Sequence, residues 1–232
     1  MNLAVFDIDG TLTNTNSVDN ECFVKAFADA YAIVGISTDW AAYPHTTDSG
    51  IMLHIFQERF GRAPKANELN KFNQCFIGLL SEQYQSSSSH FAEISGAANA
   101  LNFLKRESEW AIAIATGCWR ESAFLKLKAA GIKIDGIPIA VAEDGISREE
   151  IIQVAVSEAK SYYRHGDFEK IVSIGDGLWD VRAAARLEIA FLGVGSGETE
   201  AKLHQAGAKH VIKDFVDFAQ LMRCLNEAEV PK

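Results

Sequence analysis

The sequence predicts an open parallel α/β sheet with helices on both faces, interrupted after its first strand by an all-helical insertion. Three observations lead there. Short, nearly continuous apolar runs rich in β-branched residues recur along most of the chain, and helical patterns alternate with them. Strands apolar on every residue are buried on both faces, which is the parallel arrangement. The stretch from about residue 15 to 90 breaks the alternation with helical spacing and no strand-like run. A length of 232 residues suits one core carrying a sizeable insertion better than two full domains.

Taken in order, residues 3–6 read as the first strand. Ser17 then reads as the cap of a helix running through Tyr31, with Cys22, Phe23, Ala26, Phe27 and Ala30 at helical spacing. Helices are expected at 51–60 and 67–84, split by the breaker Gly61-Arg62-Ala63-Pro64. Met52, Phe56, Phe60, Phe72, Phe76 and Leu80 recur on one face there and read as a core of the insertion. The serine run 86–89 reads as a flexible return. The chain thus divides into an α/β core of 1–14 and 90–232 and a helical domain of 15–89. Further strands are expected at 111–115, 137–141, 171–174, 189–194 and 210–212, with helices at 120–130 and 148–163. Gly193-Val194-Gly195-Ser196-Gly197 does not fit the spacing of a dinucleotide fingerprint and reads as a loop.

Composition narrows the function classes. Lys and Arg total 22 against 31 Asp and Glu, a formal net charge of -9, which repels a nucleic-acid backbone or an anionic membrane. A small anionic substrate is still compatible, because a local cation inverts the field inside one cleft. No run approaches the roughly 20 apolar residues of a membrane span, and no basic leader precedes the first strand, so a cytoplasmic protein is expected. Cys22, Cys75, Cys118 and Cys224 lack metal-ligand spacing and read as free thiols, most of them core fillers.

The chemistry concentrates at strand ends. Asp7-Ile8-Asp9-Gly10-Thr11 closes the first strand with two carboxylates spaced by two, which in an extended chain share a side and require a cation or proton between them. By itself the motif also reads as an Asp-Gly turn. A second strand, 171–174, runs into Gly175-Asp176-Gly177-Leu178-Trp179-Asp180, and two strand ends each delivering a carboxylate pair make a hard-oxygen pocket of the kind Mg²⁺ uses. Alone, Asp176 would be a helix cap and Asp180 a first-turn acid. A third strand ends in Thr116-Gly117 ahead of a helix, where a hydroxyl and free backbone N–H groups can hold an anion.

Together these motifs resemble the haloacid dehalogenase superfamily of aspartate-nucleophile phosphohydrolases, over essentially the whole chain. The opening motif matches at Asp7, Asp9, Gly10 and Thr11, the strand-end hydroxyl at Thr116, and the acidic motif at Asp176 and Asp180. The helical insertion looks like the family's small cap, as in phosphoglycolate phosphatases and β-phosphoglucomutases. The resemblance implies a Rossmann-like core with its site at the strand carboxyl ends. It implies Asp7 as nucleophile and Asp9 as general acid and base. Mg²⁺ would be held by Asp7, the Asp9 carbonyl and Asp176, with Asp180 in or beside the ligand set. Thr116 and the Gly117 amide would grip the phosphoryl group of a small phosphomonoester.

One motif departs from the family. Its usual Lys before the helix that follows the third core strand is missing from Glu143-Asp144-Gly145-Ile146-Ser147-Arg148, and Arg148 is the nearest cation. Lys126, Lys128 and Arg120 stand as less well placed substitutes, while Arg148 reads equally as a first-turn surface residue paired with Glu149 or Glu150. Substrate selection is expected from His45 and Asp48 on the loop between two insertion helices, and from Trp119 and Arg120 on the core side. The loop also reads as a helix cap. The resemblance implies a phosphatase. A phosphomutase would keep the same core residues, and a catalytically silent binding protein would have no need of the acidic set. Asp9 argues against the dehalogenase and phosphonate-hydrolase branches, which lack the second acid.

Overall fold

The structure, a computed structural model, describes residues 1–232 apart from the side chain of Glu107. Strand β1 (Asn2–Phe6) is followed by three helices, α1 (Asn16–Tyr31), α2 (Asp48–Phe60) and α3 (Ala66–Ser86). The chain then alternates through α4 (Ala97–Glu107), β2 (Trp110–Ala115), α5 (Arg120–Ala129), β3 (Ile139–Ala140), α6 (Arg148–Tyr163) and β4 (Ile171–Gly175). It finishes with α7 (Leu178–Arg186), β5 (Ala190–Val194), α8 (Glu198–Gln205), β6 (His210–Ile212) and α9 (Phe218–Glu227). Among the described residues no helix is long and apolar enough to cross a membrane.

The strands form one parallel sheet in the order β3-β2-β1-β4-β5-β6, as expected for a Rossmann-like core. Strand periodicity sends Ala4 and Phe6 of β1, with Ile112 and Ile114 of β2, into a layer covered by α4, α5 and α9. Leu3 and Val5, with Ala111, Ala113 and Ala115, pack instead on Ile151, Ile152, Ala155 and Ala159 of α6. The order reverses beside β1, between β1 and β4, and that crevice at the strand carboxyl ends is where such sheets bind ligands.

The cap helices enclose a separate aromatic cluster around Phe23, Phe27, Phe56, Phe72 and Phe76, which Trp119 and Ala142 of the core also join. Phe60, expected in this core, is exposed near the end of α2. The crossings into and out of the cap are tied together: Thr13 pairs with Glu93, Asn14 N donates to Ala92 O at 2.8 Å, and Ile94 N donates to Leu12 O at 2.9 Å.

Three local expectations are corrected. Helix α1 begins at Asn16 behind Thr15, so Ser17 lies inside it, and the Thr15 hydroxyl is used on Asp9 and makes no cap. The serine run is ordered, because Ser86 closes α3 and Ser88–Phe91 forms a 3₁₀ turn that buries Phe91. Strand β3 shrinks to two residues, since Pro138 has no N–H to donate at this edge of the sheet.

Candidate active site

Strand β1 ends at Phe6, and the Asp7 N–H still pairs with Ile174 O at 2.9 Å, so Asp7 enters the crevice beside β4. The chain then turns sharply, with Thr11, Leu12 and Thr13 N–H all donating to Ile8 O. That turn breaks the extended periodicity, and the two acids part company. Asp7 faces α6 and α7, where Arg148 Nη1 lies 2.9 Å from its Oδ1 and 3.5 Å from Asp180 Oδ1. Asp9 faces α5, where its Oδ2 accepts from Lys126 Nζ at 2.8 Å and from Cys118 Sγ at 2.7 Å, and its Oδ1 accepts from Thr15. Each carboxylate therefore has its own cation.

Lys126 is fully buried and also binds Asp19 of α1, a residue absent from the sequence reading. It shares the buried face of α5 with Ser122, Ala123 and Leu127. A lysine on an apolar helical face was the available signal. Arg148 is no surface residue either: its Nε donates to Thr46 O of the cap at 2.9 Å, and a Cβ on Gly117 would press on its guanidinium at 2.8 Å. A larger residue there would have to push the guanidinium aside.

The remaining core motifs meet in the same crevice. Gly10, at φ 74°, runs close under Asp176, whose Oδ2 accepts from Asn16 Nδ2 at 2.8 Å. The Gly177 N–H donates to Asp180 Oδ2 at 3.1 Å. Thr116 is buried, and its hydroxyl accepts from Cys118 N at 3.2 Å.

The cap loop closes over this floor. Asp48 N donates to Gly117 O at 2.7 Å, Trp119 N donates to Asp48 Oδ2 at 2.9 Å, and Trp119 Nε1 donates to Ser49 Oγ at 2.8 Å. Asp48 and Trp119 thus fasten the cap to the core, while Thr47 caps α2 through Gly50 N. Beneath lies a chamber of about 160 Å³ lined by Asp9, Asp19, Asp48, Phe23, Trp40 and Arg148 among others. A larger open cleft of about 870 Å³ between α3 and α6 includes none of these aspartates.

Of the substrate-binding candidates, Trp119, Arg120 and His45 do not line the chamber, and Trp119 borders the open cleft instead. Arg120 is held by Asp144 at 3.5 Å, and its N–H binds the Glu143 carboxylate. His45 is exposed and lines a neighbouring surface cleft with Arg182 and Arg186.

Burial sets the electrostatics. It lifts Asp7 above the ordinary carboxylate range despite Arg148, and lifts Asp176 well above it with help from the charges of Asp180 and Asp7. Asp9 is the exception. Burial pushes it up, but the Lys126 charge and the bonds from Cys118, Lys126 and Thr15 outweigh that, so it is held ionised. Burial disfavours the Lys126 charge, yet Asp19 and Asp9 hold its pKa well above the usual lysine value.

Carboxylate oxygens of Asp7, Asp176 and Asp180 converge to within 4.8 Å of one another, and Asp176 Oδ1 is buried with no hydrogen-bond partner. Hard oxygen donors with an orphaned buried atom fit a divalent cation such as Mg²⁺. Asp9, Asp19 and Cys118 also converge, but the Lys126 ammonium already contacts all three. The Asp9 side chain therefore belongs to the ammonium group and not to the metal group.

Burial raises Asp180 to about 7 and Asp19 to about 6, from an ordinary value of 3.8. A carboxyl raised on folding keeps a proton the unfolded chain has lost, so stability declines as pH rises from about 4 through those values. Chelated protein is expected to melt on the order of 5 °C lower at pH 8 than at pH 5, with Mg²⁺ recovering most of the loss at pH 8. Thermal melts with and without chelator check this, and a pH-independent melting point would contradict it.

Residues 1–188 match the family model of haloacid dehalogenase-like hydrolases. The chain belongs to that family. Among solved structures, this haloacid dehalogenase-like hydrolase is similar to a hydrolase from Pseudomonas syringae, at 22% identity and TM-score 0.71, covering 96% of this chain and 98% of that one. A candidate β-phosphoglucomutase from Bacteroides vulgatus is 17% identical with TM-score 0.68, covering 98% and 91% of the respective chains. A predicted phosphoglycolate phosphatase from Haemophilus somnus is 17% identical with TM-score 0.63, covering 95% and 97%. The sequence has no significant match among curated proteins.

Proposed function

We propose that this protein is a Mg²⁺-dependent phosphatase that hydrolyses a small phosphomonoester through an aspartyl-phosphate on Asp7. The observation that carries the reading is the setting of Asp7: a buried carboxylate at the carboxyl end of β1, 2.9 Å from a guanidinium and converging with Asp176 and Asp180. A bare carboxylate repels a phosphate dianion, and cations on either side offset that repulsion. Asp7, Asp176 and Asp180 would hold Mg²⁺, which when bound neutralises them and polarises a phosphoryl oxygen. Thr116 and the Gly117 amide would hold the other phosphoryl oxygens.

Asp9 would act as acid and base. Held ionised, it is ready to take a proton from the water that hydrolyses the aspartyl-phosphate. Protonating the leaving oxygen requires a proton on Asp9 first, which must come from solvent, since Lys126 and Cys118 keep their own protons and only donate hydrogen bonds to its Oδ2. The cap, proposed as residues 15–89, would exclude water through the Thr47 to Ser49 contacts and open for exchange. Asp48, on that loop, would influence which ester is accepted, while His45 lies outside the chamber.

Phosphate release from a panel of phosphomonoesters, with and without Mg²⁺, tests the reading. No release from any ester would sink it, and interconversion of sugar phosphates without release would favour a mutase. Arg148→Ala is expected to lower turnover on the order of 10²- to 10³-fold, with Arg148→Lys recovering part, because a lysine restores the charge but not the fork that binds Asp7 and Thr46 together. Near wild-type turnover in Arg148→Ala would remove that residue from the site.

A further inference from the structure

The chamber above Asp7 has an unusual balance of charge for an enzyme that must admit a phosphate. Asp9, Asp19 and Asp48 line it, and Asp7, Asp176 and Asp180 cluster behind its Arg148 end, against Lys126 and Arg148. Both cations are engaged: Lys126 by Asp9 and Asp19, Arg148 by Asp7, Asp180 and Thr46 O. With the phosphoryl group at the Asp7 end, the alcohol part of the substrate must occupy the side lined by Asp19, Asp48, Phe23 and Trp40. We infer that this side selects phosphomonoesters whose alcohol carries an ammonium group, short aminoalkyl phosphates, with the ammonium seated among Asp19, Asp48 and the two aromatic rings. The inference rests on the phosphatase reading and names its substrate class.

Charge argues first. A second carboxylate or phosphate on the substrate would face Asp19 and Asp48 with no uncommitted cation to receive it, and such a mismatch rejects a ligand strongly. An ammonium meets the opposite situation. Burial lifts Asp48 well above the ordinary carboxylate range and Asp19 to about 6, with neighbouring carboxylates adding to both shifts. A cation entering the chamber relieves that repulsion.

The walls argue second. Phe23 and Trp40 meet edge to face with centroids 5.9 Å apart, and Trp40 Nε1 is anchored on Asn20 Oδ1 at 2.7 Å. Fixed aromatic faces beside carboxylates are a setting in which alkylammonium groups bind well. A chamber of about 160 Å³ is large enough to hold a short alcohol chain. The neighbouring cleft with Arg182 and Arg186 is the competing location for a second anion, but Arg182 reaches Ala41 O there and Arg186 binds Glu149.

Three esters of equal length separate the outcomes: 2-aminoethyl phosphate, 2-hydroxyethyl phosphate and phosphoglycolate differ at one terminal group, an ammonium, a hydroxyl or a carboxylate. The Mg²⁺-loaded wild type should show kcat/KM falling in that order, by about tenfold at each step. Asp19→Asn, checked for folding by its melting curve, should compress the ammonium-to-hydroxyl ratio to about threefold or less. Equal rates on the three esters, or preference for the carboxylate, would overturn the inference while leaving the phosphatase reading intact. So would hydrolysis of a generic aryl phosphate with no preference for the ammonium ester. Failure to release phosphate from any of these four esters would overturn the inference, and failure across the whole phosphomonoester panel would overturn both.

Discussion

Asp7→Asn is expected to leave the fold intact and to lower phosphate release by on the order of 10³-fold or more, the scale on which an essential nucleophile is lost. The amide is nearly the same size as the carboxylate and can still accept from Arg148, so packing at the end of β1 should not change. What disappears is an oxygen able to attack phosphorus, and one negative charge among three converging carboxylates. The melting point of the metal-free variant should hold or rise, because a like charge has been removed. A variant that folds normally and still turns over at more than about a hundredth of the wild-type rate would refute Asp7 as the nucleophile.

The second large effect is expected at Lys126. Its ammonium is fully buried between Asp9 and Asp19, and replacing it with Met strands two carboxylates in the interior. Breaking a buried pair in this way costs about 3–5 kcal/mol, which for a chain of this length is a fall in melting point of roughly 10 °C. Lys126→Met combined with Asp19→Asn should regain part of that loss, since one stranded charge is gone. Catalysis should report a separate change. Without the ammonium Asp9 loses the interaction that holds its pKa down, so the acid limb of the kcat/KM profile should move to higher pH. A melting curve and an acid limb that both match the wild type would show that Lys126 has no such part.

The strand-end acids were readable in the sequence because a strand that stops in Asp-x-Asp-Gly or Gly-Asp-Gly announces its own geometry. The parallel sheet followed from the alternation of apolar runs with helices, though not its strand order, and β1, β2 and β4 lie within a residue or two of where that alternation puts them. The partners of those acids were harder to read. Lys126, Asp19 and Thr15 reach Asp9 from α5, α1 and the turn before α1, and nothing in their spacing links elements that meet only after the cap folds back on the sheet. Cys118 reads as a core filler, yet its thiol donates to Asp9. The division of Asp7 and Asp9 between two cations was hidden for another reason. Spacing by two implies a shared side only while the chain stays extended, and it turns at Ile8. Arg120 failed in the opposite sense. It follows Thr116-Gly117 in sequence, but Glu143 and Asp144 draw it outward.

The paired crossings between core and cap have a mechanical and a genealogical consequence. Thr13 opposite Glu93, with a hydrogen bond on either side, joins the outgoing and returning chains into one narrow strap. A lid on two distant tethers can only flex, whereas a lid on one strap can swing as a rigid body. The strap lies within a few residues of Asp9, so a tilt about it would change the chamber roof more than the surroundings of Asp7. The same strap is a splice point. Any helical module whose ends lie side by side can be exchanged there without altering the register of a single sheet strand, which lets one catalytic floor acquire new roofs over evolutionary time.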